Sequence, residues 1–331
     1  MKKMLIIIKI AVILLSSSFI GYGIFCKDYK ALNRYPEISA NLKTHVYEIS
    51  HLIGNRDTKD ISKLNKTADY IKSEFEKIGY MVEFQHYNAI VGNGTKRAVK
   101  NIIAKRADAH DKDITVLGAH YDTCNNPGAD DNTSGVSGLI EIARYMYNDE
   151  SSKNMEFVAF VNEEPPFFKR QYMGSVVYVK DAIKNKKDIK QAIILEMIGY
   201  YKDRYFSQFY PFGLGFFYPN KGNFIAFVGN KESKNLTKNL KEYFDENSPL
   251  PSQKLGFDHD LIVGTDYSDH YYFWKTKYAP AIMVTDTSFF RNFNYHQDSD
   301  TYDTLDYERM SEVVVGVSEF IKKSSTITKS P

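Results

Sequence analysis

The chain has 331 residues, of which 43% are hydrophobic and 25% are charged. These proportions are ordinary for a globular protein, and the length suits one large α/β domain or two small ones. The formal net charge is +2 at pH 7, so the sequence offers no basic surface of the kind that nucleic-acid binding requires. We therefore expect a folded protein that does not bind nucleic acid.

The first 26 residues have the pattern of a targeting segment. Three lysines among the first nine residues precede an uncharged apolar run over residues 10–25, and positive charges in that position orient the N-terminus towards the cytoplasm. No clear small-residue cleavage site precedes Cys26, which favours an uncleaved signal anchor over a cleaved signal peptide. Both outcomes predict an extracytoplasmic protein. It would be held to the membrane through this segment alone, or secreted or periplasmic after cleavage.

Periodicity along the rest of the chain predicts alternating strands and helices. Residues 27–40 are expected to form a linker, residues 41–325 a single domain, and residues 326–331 a flexible tail. Predicted helices cover residues 45–53, 63–78, 134–147, 173–183, 233–244, 269–275 and 307–322, and predicted strands cover 81–87, 100–104, 114–117, 156–161, 192–195, 224–228 and 281–284. Asn93 and Gly94 mark a turn between the first two strands. This order predicts an α/β protein, a three-layer α/β/α sandwich around a mixed, mainly parallel sheet.

Three of the predicted strands are followed, at their carboxyl ends, by residues that can bind a metal or move a proton. In sheets of this kind, sites lie beyond the carboxyl ends of the strands. The residues are His120 after the strand over 114–117, Glu163 and Glu164 after the strand over 156–161, and Glu196 after the strand over 192–195.

Two further candidates lie in loops, Asp131 within GADDNTSG and His296 within FNYHQDSD. Together His120, Asp131, Glu164, Glu196 and His296 offer two imidazoles and three carboxylates. Such a set suits a divalent metal, above all zinc. A carboxylate such as Asp131 can bridge two ions through its two oxygens.

Asp122 and Glu163 are predicted to act beside these ligands. Asp122 stands two residues after His120, so it could orient the imidazole directly or support it from nearby. Glu163 is adjacent to Glu164, and a cation on Glu164 would leave Glu163 free to act as a general base. Taken singly, each residue also fits a solvated loop, and the prediction depends on their joint occurrence.

The order and context of these motifs resemble those of the co-catalytic zinc exopeptidases of metallopeptidase family 28, which include bacterial leucyl-type aminopeptidases. The resemblance covers roughly residues 40–325 and is carried by GAHYDT, PGADDNTSG, FVNEEP, ILEMIGYY and YHQDSDTYDTLDYERM. It implies a zinc exopeptidase-like fold that binds two zinc ions per chain. Many members have aspartate at the position of Glu196.

The resemblance also implies a role for each candidate residue. Asp131 would bridge the two ions, His120 and Glu196 would hold one of them, and Glu164 and His296 would hold the other. Asp122 would be the orienting acid and Glu163 the general base.

We therefore expect a zinc-dependent aminopeptidase that acts on peptides with a free N-terminus. Glu163 would take a proton from the attacking water and return it to the leaving amine. One alternative is a glutaminyl-peptide cyclase of the same fold, which uses a single zinc ion. Another is a receptor-like ectodomain without catalysis. The complete ligand set favours hydrolysis with two metals over both alternatives.

Two other features have no firm role in this interpretation. Cys124 is expected to be a free thiol in a loop near the site, because neither it nor Cys26 has the CxxC spacing of a zinc or redox site. Residues 200–223 are rich in tyrosine and phenylalanine. They are expected either to shape or cover the substrate pocket, or to form a surface or membrane contact.

Overall fold

The computed structural model describes residues 28–30, 32–92, 94–211, 213–256 and 262–327. The expected targeting segment over residues 1–26, Asn93 of the predicted turn and residues 328–331 of the expected tail lie outside the described residues. Within the described ranges, no helix is both long enough and apolar enough to cross a membrane.

Strands and helices alternate along the described chain, as predicted. The strands are β1 Met81–Ile90, β2 Lys96–Lys105, β3 Ile114–His120, β4 Met155–Phe160, β5 Ile189–Leu195, β6 Ile225–Gly229, β7 Ser252–Gly256 and β8 Ala281–Thr285. The helices are α1 Pro36–Val46, α2 Ile61–Ile78, α3 Gly135–Met146, α4 Gly174–Lys184, α5 Lys234–Asn247, α6 Tyr271–Thr276 and α7 Tyr307–Ile327. A π-helical segment, Tyr47–Ile53, continues α1.

All eight of these strands form one mixed sheet in the order β1-β2-β4-β3-β5-β8-β6-β7. β4, β3, β5 and β8 are parallel neighbours at its centre, and β6 and β7 form a further parallel pair. The pairs β1–β2, β2–β4 and β6–β8 are antiparallel. One apolar core joins the sheet to α1, α2, α3, α5 and α7, and a second joins it to α4 and α6. The predicted three-layer α/β fold is therefore confirmed.

Two elements differ from the sequence prediction. Helix α1 begins at Pro36, inside the expected linker over residues 27–40, and it buries Leu42 and Val46 in the core against α3 and α7. Strand β7 was not predicted, because its sequence SQKLG carries little apolar patterning and its side chains are only partly buried. It lies at the edge of the sheet, where one neighbouring strand is enough to pair it.

The candidate residues lie together at the carboxyl ends of the central strands. His120 is the last residue of β3 and lies in register with Phe160, the last residue of β4. Glu196 directly follows β5, which is the other neighbour of β3. Gly118 of β3 leaves room for the Phe160 ring, since a Cβ at that position would lie 2.5 Å from the ring.

Candidate active site

The imidazole of His120 lies among buried carboxylates. Its Nε2 is 3.3 Å from Oδ1 of Asp131 and 3.5 Å from Oε2 of Glu196. Burial opposes protonation of the ring, but the carboxylates of Glu196, Asp122 and Asp131 outweigh burial and raise the pKa of His120 well above its ordinary value. The same carboxylates would attract a divalent cation, which would replace the proton on Nε2.

The carboxylate of Asp122 ties the ends of β3 and β4 together. Its two oxygens accept hydrogen bonds from the backbone N–H groups of Glu163, at 3.1 Å, and Glu164, at 3.2 Å. Nδ1 of His120 is 3.2 Å from the main-chain carbonyl oxygen of Asp122 and 3.6 Å from Oδ1. Asp122 thus contacts the ring through its carbonyl group, while its carboxylate positions the two glutamates and attracts positive charge on the ring.

Buried polar groups fix the loop that carries Asp131. The carboxylate of Asp300 accepts hydrogen bonds from the backbone N–H groups of Asp130, at 2.9 Å, and Asp131, at 3.1 Å. The buried guanidinium of Arg56 donates to the carbonyl oxygen of Gly128 at 3.0 Å. Gly128 has φ of 62°, and a Cβ there would lie 2.4 Å from the carbonyl oxygen of Asp131, so the turn requires glycine.

The carboxylate of Asp131 lies between two histidines. Oδ1 is 3.3 Å from Nε2 of His120, and Oδ2 is 3.1 Å from Nε2 of His296. Nε2 of His296 is also 3.1 Å from Oε1 of Glu164, just as Nε2 of His120 is close to Glu196. Each oxygen of Asp131 therefore faces its own pair of imidazole and glutamate, which is the arrangement that a bridging carboxylate needs.

Two atoms at the centre of this site make ion-pair contacts but no well-formed hydrogen bond. Among the described residues, Nε2 of His120 and Oδ2 of Asp131 are buried and have no hydrogen-bond partner. Such atoms are unfavourable in a protein interior unless water or an ion satisfies them. His120, Asp131 and Glu196 offer ligand atoms that all lie within 4.8 Å of one another. These donors fit a divalent metal ion, and imidazole with carboxylate suits zinc.

Glu163 and Glu164 are both buried directly beyond β4. Burial raises the pKa of Glu164 to about 7, against the attraction of His296. Burial raises the pKa of Glu163 well above its ordinary value, because the attraction of His120 is offset by the negative charges of Glu196 and Glu164. Glu163 can therefore hold a proton near neutral pH, and a bound cation would lower its pKa and help to release that proton.

His296 lies in a loop with exposed neighbours, but its own side chain faces the site and is only 9% exposed. Its backbone has φ of 58°, a left-handed conformation that is uncommon for residues other than glycine. The ring of Tyr295 stacks on the imidazole with ring centroids 3.8 Å apart. Burial opposes protonation of His296, but Glu164 and Asp131 outweigh it and raise the pKa well above its ordinary value.

Two residues beside Glu196 were not singled out from the sequence. The hydroxyl of Ser268 donates a hydrogen bond to Oε2 of Glu196 at 2.6 Å. Asp269 is fully buried, and burial raises its pKa to about 7. The available signal is an acid at the start of the predicted helix over residues 269–275, but an acid that caps a solvated helix gives the same pattern.

The aromatic segment over residues 200–223 adjoins the loop that carries His296. The rings of Phe209 and Phe293 pack edge to face with centroids 5.8 Å apart. Phe217, by contrast, is 67% exposed. The segment therefore contacts the loop that carries His296 and is partly exposed to solvent, and both expected roles, at the pocket or at the surface, stay predictions.

Known proteins share this sequence pattern and fold. The model of peptidase family M28 matches residues 101–321, a range that contains every candidate site residue. "Uncharacterized protein YfbL" of Escherichia coli (strain K12) is 36% identical over 293 residues, which cover 86% of this chain and 87% of that protein.

Two solved structures show the likeness in fold. One is BSAP, a zinc aminopeptidase from Bacillus subtilis, with a TM-score of 0.67 and 16% identity over 86% of this chain and 94% of that chain. The other is the glutaminyl cyclase of Porphyromonas gingivalis, with a TM-score of 0.66 and 18% identity over 87% of this chain and 99% of that chain. At these identities the structures establish the fold alone. The family match also supports a peptidase. Together with the relative at 36% identity, it shows that this chain belongs to peptidase family M28.

Proposed function

We propose that this peptidase is a zinc-dependent aminopeptidase, which hydrolyses the N-terminal residue from peptides that have a free amino terminus. The observation that carries the proposal is the position of Asp131, whose two oxygens face two separate imidazoles at 3.3 and 3.1 Å. A carboxylate shared in this way suits a pair of ions. The zinc aminopeptidase of similar fold supports the choice of metal.

In this proposal the ligands divide between two zinc ions, with Asp131 shared. His120 and Glu196 would hold one ion, and Glu164 and His296 would hold the other. Bound zinc supplies Lewis acidity, which polarises a scissile carbonyl and makes water a stronger acid.

Glu163 is the proposed general base. It is buried next to the ligand residue Glu164, and its backbone is fixed by the carboxylate of Asp122. Its raised pKa suits a group that takes a proton from the attacking water and returns it to the leaving amine. Asp122 would be a positioning residue, because it holds the backbone of both glutamates and contacts the ring of His120.

The charge of the site favours a cationic amino terminus. Six buried carboxyl groups lie in or beside the ligand set, and they belong to Asp122, Asp131, Glu163, Glu164, Glu196 and Asp269. Burial raises the pKa of Glu163 and of Asp269, so these carboxyl groups can release protons when positive charge enters the site. Buried carboxylate charge beside the ions would attract the ammonium group of a peptide and would discriminate against a blocked N-terminus.

The extracytoplasmic location is a further part of the proposal. It is supported by the lysines and the apolar run in the first 26 residues.

The test is a paired assay of metal content and activity. The purified chain would be given aminoacyl-anilides, the same compounds with a blocked amino group, and peptides with N-terminal glutamine, before and after chelation. We expect hydrolysis of the substrates that have a free amino group and of no others. A chelator should abolish this hydrolysis, and added zinc should restore it. Pyroglutamate formation without hydrolysis would instead make the protein a cyclase. Hydrolysis that survives complete metal removal would refute the proposed mechanism.

A further inference from the structure

The thiol of Cys124 lies within reach of two of the proposed zinc ligands. One ligand atom from each of Cys124, Glu164 and His296 falls within 4.8 Å of the other two. Donor atoms on one tetrahedral zinc ion, at metal distances of ~2.0–2.3 Å, lie roughly 3.5 Å apart. A small contraction would therefore bring all three donors onto one ion.

The backbone on both sides of Cys124 is anchored. Before it, the N–H of Thr123 donates to the carbonyl oxygen of Arg56 at 3.0 Å, and the Thr123 hydroxyl accepts from the Arg56 N–H at 3.0 Å. After it, the side-chain amide of Asn126 donates to the carbonyl oxygen of Gln297 at 3.4 Å. Gln297 directly follows the second candidate histidine, so these contacts keep the thiol beside that imidazole.

An independent observation marks the same place as a ligand position. Oδ2 of Asp131 is buried, has no hydrogen-bond partner, and lies 3.1 Å from Nε2 of His296. That nitrogen is in turn 3.1 Å from Oε1 of Glu164. The side chain of Asp131 is only 2% exposed. A buried oxygen without a well-formed hydrogen bond indicates an ion at this place, and this observation does not depend on Cys124.

We propose that Cys124 is the fourth protein ligand of the ion held by Asp131, Glu164 and His296. The inference rests on the proposed zinc peptidase function. The thiol would release its proton to solvent as the bond from Sγ to the metal forms. Four protein ligands complete the tetrahedral coordination that zinc prefers in closed sites.

The two metal positions would then differ in kind. The position formed by His120, Asp131 and Glu196 has three protein ligands, which leaves one place open to solvent or substrate, as in catalytic zinc sites. The position that includes Cys124 would be closed, and its thiolate would favour zinc over magnesium or manganese. We expect the closed position to lose its ion more slowly during chelation.

Cobalt(II) tests the inference, because a thiolate bound to cobalt gives a charge-transfer band in the near ultraviolet. The full-length chain would be loaded with cobalt under reducing, oxygen-free conditions, and bound cobalt would be counted by mass spectrometry. We expect the band in the wild-type protein and its loss in Cys124→Ser, which replaces a half-buried thiol with a hydroxyl of similar size. The matched control is Cys26→Ser, because Cys26 is the only other cysteine and its substitution should leave the band intact.

The outcomes separate this inference from the proposed function. Bound cobalt without the band, or an unchanged band in Cys124→Ser, overturns the role of Cys124 while the metallopeptidase proposal stands. Absence of bound cobalt from the wild-type chain overturns both proposals.

Thiol labelling provides a readout that does not depend on the loss of a ligand. In the Cys26→Ser variant, Cys124 is the single thiol. We expect bound zinc to slow its alkylation at least ~10-fold, since the thiolate is the reactive species and the metal would occupy it. An unchanged rate with zinc bound contradicts coordination by this residue.

Discussion

Two groups of buried acids lie side by side at the carboxyl edge of the sheet, and their oxygens are satisfied differently. In the first group, here called the scaffold acids (Asp130, Asp286 and Asp300), every carboxyl oxygen accepts a hydrogen bond from a protein N–H group. The donors are the backbone N–H groups of Gly199, Tyr200, Ser288, Asp130 and Asp131 and the side-chain amide of Asn292.

The second group, the ligand acids (Asp131, Glu164 and Glu196), faces imidazole nitrogens at 3.1–3.5 Å. Within it, Oδ2 of Asp131 has no hydrogen-bond partner. Both groups consist of buried carboxyl groups, so burial of an acid does not by itself distinguish a metal site from structural support. The distinguishing feature is the convergence of donor atoms whose hydrogen-bonding capacity the protein leaves unfilled.

The largest expected effect distinguishes Glu163, in the loop after β4, from Glu156, near the start of the same strand. Glu163→Gln removes the proposed base, and we expect kcat to fall by ~10²–10⁴-fold with zinc content unchanged. The matched control is Glu156→Gln at the other end of the strand, where the carboxylate accepts hydrogen bonds from Tyr178 and Lys187. It should leave kcat nearly unchanged and lower the free energy of unfolding by about 1–3 kcal/mol. Steady-state kinetics and urea unfolding measure both quantities, and similar kcat values for the two variants would contradict the role of Glu163.

Adjacent aspartates provide the next comparison, since one is a ligand acid and the other a scaffold acid. Asp131→Asn should weaken zinc binding by more than ~100-fold, because an amide lacks the charge that binds the ions. Asp130→Asn should weaken zinc binding by only ~10-fold, the lower end of the loss expected for a group that supports a ligand without touching the metal. Both oxygens of Asp130 already accept hydrogen bonds, from the Gly199 N–H and the Asn292 amide, so neither is available to an ion. Competition titrations against a zinc chelator measure the affinities, and equal losses would remove the distinction between the two groups.

Removal of the metal should lower the free energy of unfolding, and this loss should require intact ligand acids. Zinc at 100 times its dissociation constant should raise the free energy of unfolding by about 2.7 kcal/mol per site, and a chelator should reverse the gain. Thermal unfolding with and without zinc measures the effect. The Asp131→Asn variant should show little response to zinc, whereas a response equal to that of the wild type would place the stabilising ion elsewhere.

The smallest effect concerns His270, whose Nδ1 is buried and has no hydrogen-bond partner among the described residues. Within that part of the chain, His270 belongs to neither of the two clusters of possible metal ligands. Burial lowers its pKa from 6.5 to about 4. Between pH 6.5 and pH 4 the unfolded chain takes up a proton on this ring and the folded protein does not. The contribution of the neutral ring to stability is therefore complete above pH 6.5 and is lost as the pH falls towards 4.

Between pH 7 and pH 5 this linkage should lower the free energy of unfolding by about 2 kcal/mol more in the wild type than in His270→Gln. Urea unfolding in the presence of a chelator measures the difference. Equal pH dependence in the two proteins would show that the ring titrates normally.

Much of this architecture could be predicted from the sequence. The strand ends at His120, Glu164 and Glu196 follow from apolar runs that stop at a polar residue, and neighbouring parallel strands bring such ends together. The sequence pattern predicts a helix only from residue 45, whereas α1 begins at Pro36, because its first turn is polar and partly exposed and its buried face packs against α3 and α7. Contacts of that kind depend on residues far away in the chain.

The surroundings of the site were less predictable. Asp300 was visible only as part of an acidic run, yet it holds the backbone of Asp131 from 169 residues away. Cys124 was expected to be an ordinary free thiol, since its spacing matches no zinc or redox motif. Its neighbours Glu164 and His296 come from other loops, so only the folded chain brings the three together.

We expect the donor atoms that converge around Asp131 to hold two metal ions. Crystals of the protein grown with zinc would show this by anomalous X-ray scattering at the zinc edge. We expect a peak on each side of the Asp131 carboxylate, about 3.5–4 Å apart. One peak would lie beside His120 and Glu196, and the other beside Glu164 and His296. A map with no peak at either position, or with zinc bound only elsewhere on the molecule, would contradict the account.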